Sequence, residues 1–190
     1  MPYNEYEVRY MKETHNEITV MLDHTPEEAI AVLKEHGYIY ERSFTVNDIY
    51  LAKELNIPMM EVLSDYLMIR DFDGDIRLTH KHKEYDDDGS ISSQTKCEVG
   101  VKDAKAAMEL CLDLGYKPFL NIKDECVIMA CDGLKVVVQN VNDGAMVMME
   151  MEENEVFSGI DVLKRKLDET GLDYDDSDFF VNKAARLMAV

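Results

Sequence analysis

Charged and apolar side chains alternate through residues 5–10 (EYEVRY), the period-two pattern of a strand with one polar and one apolar face. A second strand is predicted at residues 17–22. Asp23 to Thr25 offer capping side chains, Pro26 suits a first helical turn, and EEAIAVLKEH spaces its apolar residues for a helix that Gly37 stops. Residues 38–51 read as one or two strands, and 57–64, opened by Pro58, as a short helix or connection. In residues 66–83 DFDGD is the turn of a hairpin between YLMIR and IRLTHKHK. The polar run 85–94 is a predicted loop, 95–101 (TKCEVGV) a strand, and 102–118 a helix closed by Gly115 and Pro118. A second hairpin turns at Asp132-Gly133 within residues 121–141, and AMVMMEME (145–152) is the last long strand. Helices are predicted at 160–172, stopped by Gly171, and at 179–188.

Seven or eight strands with helices between pairs, joined by hairpins, predict an α+β fold with antiparallel pairing and exclude a doubly wound parallel sheet. Several strands place ionisable residues at alternate positions, which a closed barrel with a charged interior explains. No internal repeat, Pro/Ser linker or low-complexity tract interrupts the pattern.

With 190 residues, 46% of them hydrophobic, the chain can bury a full core, and no apolar run approaches the ~20 residues of a membrane helix. The start, MPYNEYEVRY, lacks the basic and apolar regions of a secretory signal, so a cytoplasmic protein is expected. Cys97, Cys111, Cys126 and Cys131 sit in apolar segments without a CxxC pair, as reduced core residues would. The methionines of residues 146–151 fit a buried strand. A net charge of −19 argues against nucleic acid and membrane as partners. It leaves room for a small acidic ligand held by basic side chains gathered inside a cavity, while acidic residues coat the outside or bind divalent cations.

Four stretches resemble the CYTH, or triphosphate tunnel metalloenzyme, superfamily: VNDIYLA (46–52), similar to a strand with an Asp-x-Tyr core; LMIRDFDGDIRLTHK (67–81), similar to an LRIR hairpin ending in LTxK; TKCEVGVKDAKAAMELCLDLGY (95–116); and the closing Glu150-Met151-Glu152. The resemblance implies an antiparallel eight-stranded tunnel-like barrel with helices packed outside, formed by residues 1–155, and a C-terminal helical extension over 156–190 packed on the same domain. The superfamily's N-terminal ExExK strand is matched by Glu5-Tyr6-Glu7-Val8-Arg9, with Arg for Lys, or by residues 17–21; the charge pattern favours the first.

By this resemblance Arg9, Arg70, Lys81, Lys96 and Lys123 bind a small-molecule triphosphate, and Arg77, on the same strand face as Lys81, joins them. Glu5, Glu7, Glu98, Glu150 and Glu152 are the implied ligands of Mg²⁺ or Mn²⁺, since carboxylate oxygens suit hard cations. Lys81 and Glu150 are the implied catalytic residues. Taken singly, each of the cations is better read as a solvated residue on an open sheet; the order of the family motifs puts the tunnel ahead. The sequence departs from the superfamily at Met68, where LRIR has its first Arg; at Gly100, where a second Glu is common; at Gln139, where an acidic ligand is frequent; and at Glu125, in the Arg position of a Lys-x-Arg pair. His80 and His82 fall on the face opposite Lys81 and are expected in solvent. No HExxH, P-loop or GxGxxG is present. The implied activity is hydrolysis of an inorganic or organic triphosphate; the alternatives are an adenylyl cyclase of the same superfamily and a degenerate module that binds a phosphorylated ligand without turnover. A homodimer is compatible with all three.

Overall fold

The computed structural model describes residues 9–12, 17–85, 91–153 and 160–189. They form β1 (Arg9–Lys12), β2 (Glu17–Met21), α1 (Pro26–Glu35), β3 (Ile39–Ala52), α2 (Met59–Val62), β4 (Asp65–Phe72), β5 (Asp75–Tyr85), β6 (Ile91–Gly100), α3 (Ala104–Asp113), β7 (Lys117–Cys131), β8 (Leu134–Val141), β9 (Met146–Glu153), α4 (Ile160–Asp168) and α5 (Lys183–Met188). The fold is α+β and its strand pairs are antiparallel.

Local chemistry sets these elements as expected. Thr25 caps α1 by accepting from the Glu28 amide at 3.3 Å, while the Glu28 carboxylate accepts from the Thr25 amide at 2.8 Å, a reciprocal capping box. Asp103 caps α3 through the amides of Lys105 and Ala106. Both predicted hairpins turn on Asp-Gly pairs with positive φ at each residue, 49° and 88° at Asp73-Gly74 and 48° and 78° at Asp132-Gly133, as type I′ turns require. Two boundaries differ from expectation. Residues 91–94 are strand, because main-chain pairing to β5 needs no apolar side chains. β7 begins at Lys117, with Pro118 accommodated at its second position. Nine strands are therefore described.

The chain divides into two compact units. In the first, the strand order is β1-β6-β5-β4 followed by residues 46–52 of β3. One sheet face carries Ile49, Leu51, Leu67, Ile69, Ile76 and Leu78, which pack with Ala104, Ala107, Met108 and Cys111 of α3. The amphipathic period of α3 thus meets the period-two pattern of the strands.

In the second unit, residues 123–131 of β7 pair with β8, β8 with β9, and β9 with β2. Its core joins Ile18, Val20, Val136, Val138, Met149 and Met151 to Ala29 and Leu33 of α1 and Leu163 and Leu167 of α4. Three of the four methionines of β9 are core residues, with Met148, Met149 and Met151 all at 0% exposure. The outer edge of β2 is closed by the segment after α4: the Thr19 amide donates to Phe179 O at 2.9 Å and the Val181 amide to Thr19 O at 3.0 Å. An otherwise open sheet edge is thereby blunted.

Tyr38 lies in this second core, and burial pushes its phenol up to about 12, with Cys131, Glu169 and Asp132 adding to the effect. An unfolded tyrosine ionises near 10. A raised phenol favours the fold below the unfolded value, and that contribution is lost as pH climbs from about 10 to 12, by roughly 3 kcal/mol. Stability measured by denaturant titration at pH 9, 10 and 11.5 should fall steeply over the last interval. Tyr38→Phe should flatten that part of the profile; an unchanged slope would place Tyr38 in solvent.

Candidate functional site

Pairing register assigns the face of the first unit turned away from α3. Asp48 lies opposite Arg70, Arg70 opposite Arg77, Tyr66 opposite Lys81, Thr79 opposite Glu98, and Lys81 opposite Lys96. Arg9 of β1 is in register with Glu98. Directly opposed residues on antiparallel strands share a face, so Arg70, Arg77, Lys81 and Lys96 converge on one side of the sheet, with Asp48, Thr79 and Glu98 between them.

This face is no solvated exterior. Asp48, Tyr50, Tyr66, Met68, Thr79 and Glu98 are each exposed by 7% or less. Burying so much charge requires compensation, and the compensation is visible. Asp48 accepts from Arg70 at both oxygens, Nε to Oδ1 at 2.7 Å and Nη2 to Oδ2 at 2.6 Å, a bidentate fork beside the stacked rings of Tyr50 and Tyr66. Burial alone would lower the Arg70 pKa, but the bond to Asp48 and its charge raise it well above the ordinary value, so the guanidinium stays charged. Arg77 donates to Glu98 and to Asp75, and Lys96 lies 3.1 Å from Glu98 Oε2.

In the second unit, the sheet face opposite its helix-packed core carries Asp124 and Cys126 of β7, Lys135 and Gln139 of β8, Glu150 of β9 and Thr19 of β2. Asp124 and Gln139 are buried at 3% and 6%. Gln139 Nε2 donates to Glu150 Oε2 at 3.1 Å, so the residue standing where an acidic one is frequent serves as a neutral partner of a carboxylate. Glu152 is in register with Glu17 and Lys135.

Of the predicted site residues, Arg70, Arg77, Lys81, Lys96 and Glu98 come together on the first unit's face, with Arg9 in register beside them. Glu150 and Glu152 take alternate positions on β9 in the second. Glu5 and Glu7 lie outside the described residues. Lys123 falls on the other face of β7, in phase with Met129 of the core, and is exposed; Asp124 takes the buried position. Glu125 shares the Lys123 face and accepts from Asn140. The two N-terminal strands also separate, β1 pairing beside Lys96 and Glu98, β2 beside Glu150 and Glu152. His80 lies on the α3 side of β5, 46% exposed, with Asp65 as its partner.

Asp48 and Thr79 are functional-face residues that sequence reasoning missed. Asp48 alternates with Val46 and Tyr50, a signal present in VNDIYLA, but its partner Arg70 is apparent only from the register.

Carboxylate oxygens are what a hard divalent cation prefers, and β9 carries two such residues at alternate positions, Glu150 and Glu152. Among the described residues no group of three or more His, Cys, Asp or Glu side chains is gathered to hold a metal ion. Both oxygens of Glu98 are engaged, Oε1 by Arg77 and Oε2 by Thr79 and Lys96.

The protein PH1819 from Pyrococcus horikoshii superposes with a TM-score of 0.67 at 18% identity, over 93% of this chain and 98% of that one. HpAC1 from Hippeastrum, described as a candidate adenylyl cyclase that reveals a dominant triphosphatase activity, superposes with a TM-score of 0.64 at 14% identity, over 93% and 96% of the two chains. A candidate adenylate cyclase from Vibrio parahaemolyticus gives 0.63 at 10% identity, over 95% and 100%. The chain has a CYTH-like fold. No family model and no curated protein matches its sequence, so the likeness to these proteins is one of architecture. Among the described residues, no helix is long and apolar enough to cross a membrane.

Proposed function

We propose that the protein is a metal-dependent phosphohydrolase acting on inorganic triphosphate or on a nucleoside or thiamine triphosphate. The observation that carries this reading is the buried face of the first unit, where Arg70, Arg77, Lys81 and Lys96 share one side of the sheet within a CYTH-like fold. The triphosphatase activity described for HpAC1 agrees with it. Phosphoryl transfer asks little covalent chemistry of a protein; it asks for positioned cations around the transferring group. Arg70, Arg77, Lys81 and Lys96 hold the phosphoryl oxygens and offset their charge. Water attacks the terminal phosphorus, the bond to the bridging oxygen breaks, and orthophosphate separates from pyrophosphate or from the nucleoside or thiamine diphosphate. Mg²⁺ or Mn²⁺, for which Glu150 and Glu152 are the proposed ligands, would supply charge neutralisation for the reaction.

A second reading, a module that binds a phosphorylated ligand without turnover, is favoured by two observations. Met68, in the position of an arginine, is buried at 1% exposure, and Gln139 replaces an acid beside Glu150. Phosphate release from tripolyphosphate, ATP and thiamine triphosphate with Mg²⁺ or Mn²⁺ separates the two. Tripolyphosphate should also raise the melting temperature, since a hundredfold excess over Kd adds about 2.7 kcal/mol. Release with a thermal shift supports the enzyme, a shift without release supports the binding module, and neither response sinks both.

A further inference from the structure

Glu98 occupies the centre of the first unit's charged face at 5% exposure. Its Oε1 accepts from Arg77 Nη1 at 2.5 Å, and its Oε2 accepts from Thr79 Oγ1 at 3.2 Å and lies 3.1 Å from Lys96 Nζ. Thr79 is directly opposite on β5, fully buried, and Lys96 is two residues away on the same strand face. Arg77 arrives diagonally. The residue directly across from it is Gly100, which has no side chain to offer the guanidinium, while the exposed Asp75 accepts from Arg77 Nε and Nη2 and leaves Nη1 to Glu98. Burial pushes the Glu98 carboxyl up, yet the bonds and charges of Arg77 and Lys96 outweigh burial and hold it below the ordinary carboxylate range.

Each oxygen of this buried carboxylate is engaged by a charged partner, Arg77 at 37% and Lys96 at 14% exposure, which a divalent cation would have to displace, at a cost above that of an ordinary hydrogen bond. The same carboxylate has what is needed to keep two like charges close together. We propose that Glu98 is a positioning residue, the internal counter-ion that fixes Arg77 and Lys96 for the polyphosphate chain, and that it is not a metal ligand. This rests on the triphosphate reading above and deepens it, because a face organised by its own carboxylate recognises the polyanion before any metal binds.

The test is calorimetric titration of the full chain with sodium tripolyphosphate in excess EDTA. Glu98→Asp keeps the charge but cannot span Arg77, Lys96 and Thr79, and Glu98→Gln turns one acceptor into a donor facing those donors. Each should weaken metal-free binding about tenfold, the loss expected from unfixed cations. Neither should change the Mg²⁺ concentration that half-saturates the thermal shift seen with tripolyphosphate. In an Arg77→Ala background, Glu98→Asp should cost no more than about twofold further, since its effect runs through the missing guanidinium. The charge-conserving variant keeps the test alive if the amide variant does not fold. Metal-free binding equal to or tighter than wild type, or a raised Mg²⁺ requirement that excess metal rescues, overturns the inference and returns Glu98 to the metal. A wild type that binds no tripolyphosphate overturns the triphosphate reading and the inference together.

Discussion

Asp48→Ala should lower the melting temperature by roughly 6–12 °C. Both oxygens of Asp48 are spent on Arg70, and the carboxylate is 2% exposed while the guanidinium side chain is 30% exposed. Truncating one partner of such a pair leaves the other charge partly buried without compensation, at a cost of about 3 kcal/mol, the low end of the usual span because Arg70 keeps some solvent. For a chain of this size each kcal/mol moves the midpoint by about 2–4 °C. Asp48→Asn should fall between wild type and alanine, since its oxygen still accepts from one guanidinium nitrogen. The double variant Asp48→Ala, Arg70→Met removes the orphaned charge and should regain most of the loss. A fall of under about 2 °C in the alanine variant would mean that Arg70 finds water or another carboxylate at no cost, and the fork would then contribute little.

The helices and hairpins were legible because their signals are local. Thr25, Pro26 and Glu28 announce α1 within four residues, and Asp-Gly at 73–74 and 132–133 announces its turns without reference to the rest of the chain. Alternation also foretold that Arg70, Arg77, Lys81 and Lys96 would not scatter, given the order of the strands. What stayed hidden depends on register and on partners. Lys123 and Asp124 are adjacent charged residues in the middle of a long strand, and composition cannot say which one the fold buries; pairing of Asp124 with Val141 decides it. Glu98 reads as a metal ligand by position in the strand, yet its carboxylate accepts from Arg77, which reaches it diagonally from the position opposite Gly100, a contact between residues more than twenty positions apart. The strand at 91–94 was illegible because its ladder is main chain and its side chains are those of a loop.

Glu150→Gln should reduce phosphate release from tripolyphosphate by at least about a hundredfold while leaving metal-free affinity equal or tighter. Glu150 accepts from Gln139 at 3.1 Å, and an amide oxygen in its place can still accept that bond, so the substitution conserves volume and local packing while deleting one negative charge. A hard divalent cation loses a charged oxygen donor and keeps a neutral one, a change that for metal sites costs at least what disturbing an outer-shell partner costs, roughly 10–100-fold, and more when a ligand itself is altered. The polyanion, by contrast, meets a protein with one negative charge fewer, so its affinity in EDTA should not drop. Glu98→Asp and Glu150→Gln are therefore expected to move metal-free affinity in opposite senses, which separates a carboxylate that organises cations from one that recruits metal. Release by the Glu150 variant at the wild-type rate removes Glu150 from the chemistry. Release by neither protein, from any triphosphate tested and with either metal, ends the enzyme reading, and the direction of the two affinity changes then describes a binding module.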